Sequence, residues 1–111
     1  MSVMSNLSTT FAALGDATRF AIVERLLIEG ELPAGKLQSV GQISGPAISR
    51  HLKVLRVAGI VEQRIDKQRR MYSVRPQAVQ AIGAWTISHR EFWQGSLDRL
   101  EQALMQETNK P

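Results

Sequence analysis

Arg50 and Lys53 stand three residues apart in the run Gly-Gln-Ile-Ser-Gly-Pro-Ala-Ile-Ser-Arg-His-Leu-Lys-Val-Leu-Arg-Val-Ala-Gly-Ile-Val, residues 41–61. Lys67, Arg69 and Arg70 crowd a second short segment. Cations so placed suit phosphate neutralisation and, for arginine, a forked hydrogen bond to guanine. Ser49 can donate to either kind of acceptor, and Pro46 and Ala47 are small and apolar enough to meet thymine methyls. His51 offers an imidazole either to phosphate or to a neighbouring helix. With Ser44, these ten residues are the candidate nucleic-acid contacts. Catalysis is not expected. There is no glycine-rich phosphate loop, and Ser49 and His51, two positions apart, do not share a helix face. The chain has no cysteine, which removes disulfides, thiolate metal sites and thiol redox switches.

The contacts need an element to carry them. Ser44 or Gly45 followed by Pro46 is a helix-start signal, because either residue can cap the first turn and proline loses no hydrogen bond there. Ile48, Leu52 and Leu55 fall on one face, while Ala47, Arg50, Lys53 and Val57 point largely the other way. Gly59 suits a left-handed stop. The result is a short helix with a cationic outer face and small residues at its N-terminus, where a base-pair edge can approach. A shorter helix opened by Pro33 and broken at Gly41 precedes it, and the pair reads as a helix-turn-helix over about 33–58. Charge agrees with this placement. Residues 36–75 carry nine basic and two acidic side chains, a net of +7, whereas the remainder is −3. A solvated face is the plainer source of such charge, but its concentration on the middle third fits a nucleic-acid surface.

The rest of the chain supplies the frame. At 111 residues it is long enough for one domain with a modest core. Leu7, Phe11 and Leu14 share a side of a first helix, with Ser5 and Asn6 as its caps. Asp16 caps a second helix, in which Phe20, Val23, Leu26 and Leu27 form a core stripe ending at Gly30. Glu24 and Arg25 lie outside that stripe and receive no role beyond solubility. After Gly59 the period changes to two β-favouring runs, 60–65 and 70–74, around the charged tip Asp66-Lys67-Gln68-Arg69, which predicts a hairpin over about 60–75. No apolar run is long enough to cross a bilayer. The opening Met-Ser-Val-Met-Ser-Asn lacks the basic and apolar regions of a signal peptide, so a cytoplasmic location is expected.

From Pro76 to about Glu107 the helical period returns. Val79, Ile82, Trp85, His89, Phe92, Trp93, Leu97, Leu100 and Leu104 recur at three- and four-residue steps. One helix of that length would run about 45 Å, more than so small a domain can cover. The stripe therefore predicts a dimer helix, joined by Leu7 and Phe11 of the first helix. Thr108 to Pro111 reads as a frayed tail.

Two stretches carry a resemblance. Phe11-Ala-Ala-Leu-Gly-Asp-Ala-Thr-Arg-Phe20, followed by Ile48-Ser-Arg-His-Leu-Lys-Val-Leu-Arg-Val-Ala-Gly-Ile-Val61, is similar to the ArsR/SmtB family of bacterial winged-helix repressors. The likeness covers about Leu7 to Arg75, with the last helix agreeing in placement. It implies a mainly α winged helix-turn-helix, α-α-α-α-β-β-α, as a single domain over 1–111, dimeric through its terminal helices. It further implies double-stranded DNA as partner, a palindromic operator overlapping the repressor's own promoter, and release by an inducing signal. The family's cysteine metal sensor is absent, because Pro33 and Gly35 stand where its cysteines would be in Glu31-Leu32-Pro33-Ala34-Gly35-Lys36-Leu37. The last helix offers only His89, Glu91, Asp98 and Glu101 toward a second metal site, and zinc normally needs several nitrogen or sulfur ligands. Neither a metal nor another cofactor is expected, and the inducer is unspecified. A winged helix that binds proteins instead of DNA is the alternative.

Overall fold

In the computed structural model, residues 7–109 are described. The elements follow in the order α1 (Leu7–Leu14), α2 (Ala17–Glu29), β1 (Leu32–Pro33), α3 (Ala34–Leu37), a 3₁₀ turn (Gln38–Val40), α4 (Gly45–Val57), β2 (Val61–Asp66), β3 (Arg69–Val74), α5 (Pro76–Ser88) and α6 (Arg90–Thr108). The chain divides into two compact units, one up to Ala81 and one from Ile82 onward, and α5 passes from the first to the second. The expected caps Ser5 and Asn6 lie outside the described residues. Thr108 closes α6 rather than opening a tail, and Lys110 and Pro111 are again outside.

The first unit is a winged helix-turn-helix, as the sequence predicts. Asp16 caps α2 by accepting the Arg19 amide at 3.0 Å, and Gly30 ends it at φ 83°. Ser44 caps α4 and Pro46 occupies its first turn. Ile48, Leu52 and Leu55 of α4 are buried against Ile22, Val23 and Leu26 of α2, Leu37 of α3, Ile60, Val61 and Tyr72. The α2 stripe differs from expectation, since Ile22 is fully buried while Phe20 and Leu27 are exposed. That helix carries apolar residues around much of its circumference, and the face that packs includes Ile22. On α1 the inward residues are Leu7, Thr10 and Ala13, and Phe11 faces out.

The hairpin is antiparallel, with Asp66 opposite Arg69 and a two-residue tip. Lys67 takes φ 59° at that tip, the left-handed conformation that glycine ordinarily supplies. The sheet also has a third strand that the β-favouring runs do not indicate. Leu32 and Pro33 pair with Tyr72 and Met71, so the sheet order is β1-β3-β2 with β3 central. Pro33 lacks an amide proton and is tolerated because its strand is an edge.

The long terminal helix expected over 76–107 is interrupted at His89. Ser88 Oγ donates to Trp85 O at 2.8 Å, Thr86 Oγ to Ile82 O at 2.9 Å, and His89 Nδ1 lies 2.9 Å from Trp85 O. The His89 amide reaches back only to Thr86 O. Side chains here compete for the carbonyls a continuous helix would use, a contest that apolar periodicity does not register. Among the described residues no helix is long and apolar enough to cross a membrane.

Candidate nucleic-acid interface

Two groups stand out among the cations of the first unit. Arg25 of α2 donates to Glu29, to Lys36 O at 2.6 Å and to Ser39 Oγ at 2.8 Å, so it ties α2 to α3 and its neighbouring 3₁₀ turn. The sequence alone marks it as a solubilising residue only. Its contacts lie eleven and fourteen residues away, beyond the reach of helical periodicity. Arg64 grips Glu31 with both arms of its guanidinium, the Nε–Oε2 contact being 3.0 Å. The Arg64 hydrogen bond is the main cause holding the Glu31 carboxyl below its ordinary value. Arg56 donates to Gln63 Oε1. These three arginines are engaged with other groups of the first unit.

The second group is untied. Arg50 and Lys53 on α4, and Lys67, Arg69 and Arg70 at the hairpin tip, are exposed and make no hydrogen bond or ion pair among the described residues. A side chain left in water by its own fold keeps its hydrogen-bonding capacity for a partner.

Short-range structure explains how α4 presents its share. Ser44 Oγ accepts the Ala47 amide at 3.3 Å, which leaves its hydroxyl proton free to donate outward. Pro46, Ser49, Arg50 and Lys53 are exposed and Ala47 is half-buried. The opposite face is anchored by Ile48, Leu52 and Leu55, so the outer face cannot roll inward without exposing three large apolar side chains. His51 is half-buried beside α2. Arg19 Nη1 lies 3.3 Å from its Nδ1, while Arg19 Nε donates to Ala13 O at 2.7 Å. A guanidinium only donates, so Nδ1 is the acceptor in this pair. Its Nδ1 thus lies against the neighbouring helix.

The two reading elements meet. Ser49 of α4, Gln68, Arg69 and Arg70 of the hairpin, Tyr72 of β3, and Pro33 to Lys36 line one groove of about 610 Å³. Lys36 and Gln68 join the candidate set here. Lys36 belongs to the basic segment of the sequence, but only the pairing of β1 with β3 brings it to the hairpin. Among the described residues no three His, Asp or Glu side chains gather closely enough to hold a metal ion.

The second unit carries the apolar stripe. Phe92, Trp93, Leu97, Leu100 and Leu104 of α6 are all exposed, with Phe92 and Trp93 in edge contact at 5.1 Å. Trp85 is half-buried and tilted against His89 at 5.1 Å, and Ile82 is half-buried. On α1, Phe11 is exposed, but Leu7 is already covered by its own chain. With Met105, six large apolar side chains stand in the open on this one helix.

Comparison with known proteins agrees with this geometry. A family profile described as a helix-turn-helix domain matches residues 14–64. The chain is 42% identical over 82 residues to the HTH-type transcriptional regulator Rv2034 of Mycobacterium tuberculosis, covering 74% of this chain and 76% of that protein. It is 30% identical to the transcriptional repressor SdpR of Bacillus subtilis, covering 74% of this chain and 90% of that protein. Among solved structures, an ArsR-like transcriptional regulator from Rhodococcus sp. RHA1 superposes with a TM-score of 0.70 at 25% identity, over 89% of this chain and 92% of that one.

Proposed function

We propose a repressor's role for this chain, which belongs to the ArsR/SmtB family of bacterial winged-helix transcriptional regulators. As a member it is a DNA-binding regulator and not an enzyme. The finer reading is a homodimer, organised as one functional domain over 1–111, that represses its own promoter at a palindromic operator. Two copies of α4 enter successive major grooves about 34 Å apart. The exposed stripe of α6, with Phe11, forms the two-fold contact, and the expected location is the cytoplasm.

The observation that carries this reading is the division of the cations. Arg50, Lys53, Lys67, Arg69 and Arg70 are untied and sit on the two elements a winged helix presents to a duplex. Arg50 and Ser49, with Pro46 and Ala47 at the helix start, read base edges. Lys53 and Ser44 contact the backbone, and Lys67, Arg69 and Arg70 take phosphates beside the hairpin. His51 contributes by holding α4 on Arg19.

The test is fluorescence anisotropy of the purified protein with DNA from upstream of its own gene and with a scrambled duplex, at about 0.15 M salt. The expected result is discrimination of about 10³ or more. Equal, weak binding to both duplexes overturns the autorepressor reading.

A further inference from the structure

A second groove borders the surface just described. It runs between α1 and α4, holds about 530 Å³, and is lined by Thr9, Ala12 and Ala13 on one side and by Val54, Val57 and Ala58 on the other, with Arg19, Arg50 and Lys53 along its edge. Its size falls within the range of small-molecule sites, about 300–1,000 Å³.

The lining states what it can hold. The floor is small and apolar, and Val57 is 78% exposed, an unusual position for a valine on a helix whose neighbours are cations. Every charged residue on the rim is positive. Arg19 has committed Nε to Ala13 O and Nη1 toward His51, and Arg50 and Lys53 are untied. A cationic ligand would be repelled and a fully polar one would gain nothing from the floor. A molecule with an apolar body and one anionic head satisfies both halves of the site.

We propose that this groove binds a free amphipathic carboxylate, its chain or ring along Ala12, Val54 and Val57 and its carboxylate on Arg50 and Lys53. The site shares these two cations with the duplex-facing surface, so ligand and DNA exclude one another. That second half rests on the DNA-binding reading above and the first half does not. By linkage the exclusion is reciprocal, and a ligand at a hundred times its Kd weakens apparent DNA affinity about a hundredfold.

Sodium decanoate, below its micellar concentration and without vesicles, is the probe, with decanol as the uncharged control. Calorimetry on the full chain is expected to show saturable binding with a Kd below about 1 mM, decanol binding at least about tenfold more weakly, a loss of about 1.4 kcal/mol. Ala12→Trp fills the groove from α1 and leaves Arg50 and Lys53 in place. It is expected to abolish decanoate binding while DNA affinity stays within about twofold, inside the scatter of a neutral surface change. Val57→Glu, at an exposed position that folding tolerates, is the second variant and gives the same loss by repulsion. Three results overturn the proposal: no saturable binding, equal binding of decanol, or decanoate binding unaltered by both variants. A fourth is dissociation of an oligomer by Ala12→Trp on size exclusion, which would assign the groove to a second copy of the chain. Decanoate binding as described, in a protein that binds no duplex, supports the site and overturns only the DNA reading.

Discussion

Arg19 Nη1 of α2 lies 3.3 Å from His51 Nδ1 of α4, with the same guanidinium held on Ala13 O at 2.7 Å. The contact joins three helices through one side chain and takes His51 out of the set of free basic groups. His51→Ala is therefore expected to lower Tm without altering the salt dependence of DNA binding. Lys53→Ala should do the reverse, leaving Tm unchanged and reducing the slope of log K against log salt by about 0.9. Anisotropy titrations at several salt concentrations, beside thermal melts, check both. A reduced slope for His51→Ala would return that residue to the phosphate contacts.

Stability should fall in acid for a stated reason. The Arg19 amide is the main cause lowering Asp16, with the Arg19 charge adding to it, and Arg64 lowers Glu31. Carboxylates depressed in the folded state stabilise it in full above their ordinary values of 3.8 and 4.5. That contribution is lost as pH falls through those values toward the lower folded ones. Glu31→Gln should flatten part of the decline in Tm between about pH 5 and pH 3. A decline as steep as the parent's would place the acid sensitivity elsewhere.

Lys67 separates stability from binding. Its φ of 59° costs a non-glycine residue roughly 1 kcal/mol, partly offset because glycine has more freedom to lose on folding. Lys67→Gly should melt at the same temperature or higher, yet bind every duplex more weakly, with about 0.9 less salt slope. Unchanged binding would remove Lys67 from the contacts and leave Arg69 and Arg70 to serve the hairpin.

For the α6 stripe, Leu97→Glu combined with Leu100→Glu places two charges among exposed apolar side chains. Helix content by circular dichroism should hold, because neither leucine is buried in its own chain. Size exclusion should shift from dimer to monomer, and affinity for a palindromic duplex should drop to that of a half-site. A dimer that survives both charges would place the two-fold contact outside α6.

Local signals made α4 legible almost completely. Ser44, Pro46, the Ile48-Leu52-Leu55 face and Gly59 each act within a few residues of their own position, and each does what its chemistry requires. The hairpin was legible for the same reason, apart from Lys67, which replaces the expected glycine. What escaped depends on distance in sequence. Arg64 and Glu31 are 33 residues apart, β1 is two residues long and ends on a proline that also reads as a helix start, and Arg25 binds a carbonyl of α3 and a hydroxyl of the 3₁₀ turn after it. Phe20 and Ile22 compete for the inward face of α2, and a periodic pattern alone does not choose between them. At His89 the apolar repeat continues while the hydrogen bonds do not, so the break is invisible to a count of apolar positions.

The pairing of Leu32 and Pro33 with β3 has a mechanical consequence. β1 runs into α3 with no intervening residue, so the hairpin and the helix-turn-helix are riveted together instead of being hung on separate loops. They form a calliper of fixed opening. A duplex whose groove spacing departs from that opening must itself be bent or twisted to fit, and selection among sequences then includes their stiffness as well as their base edges.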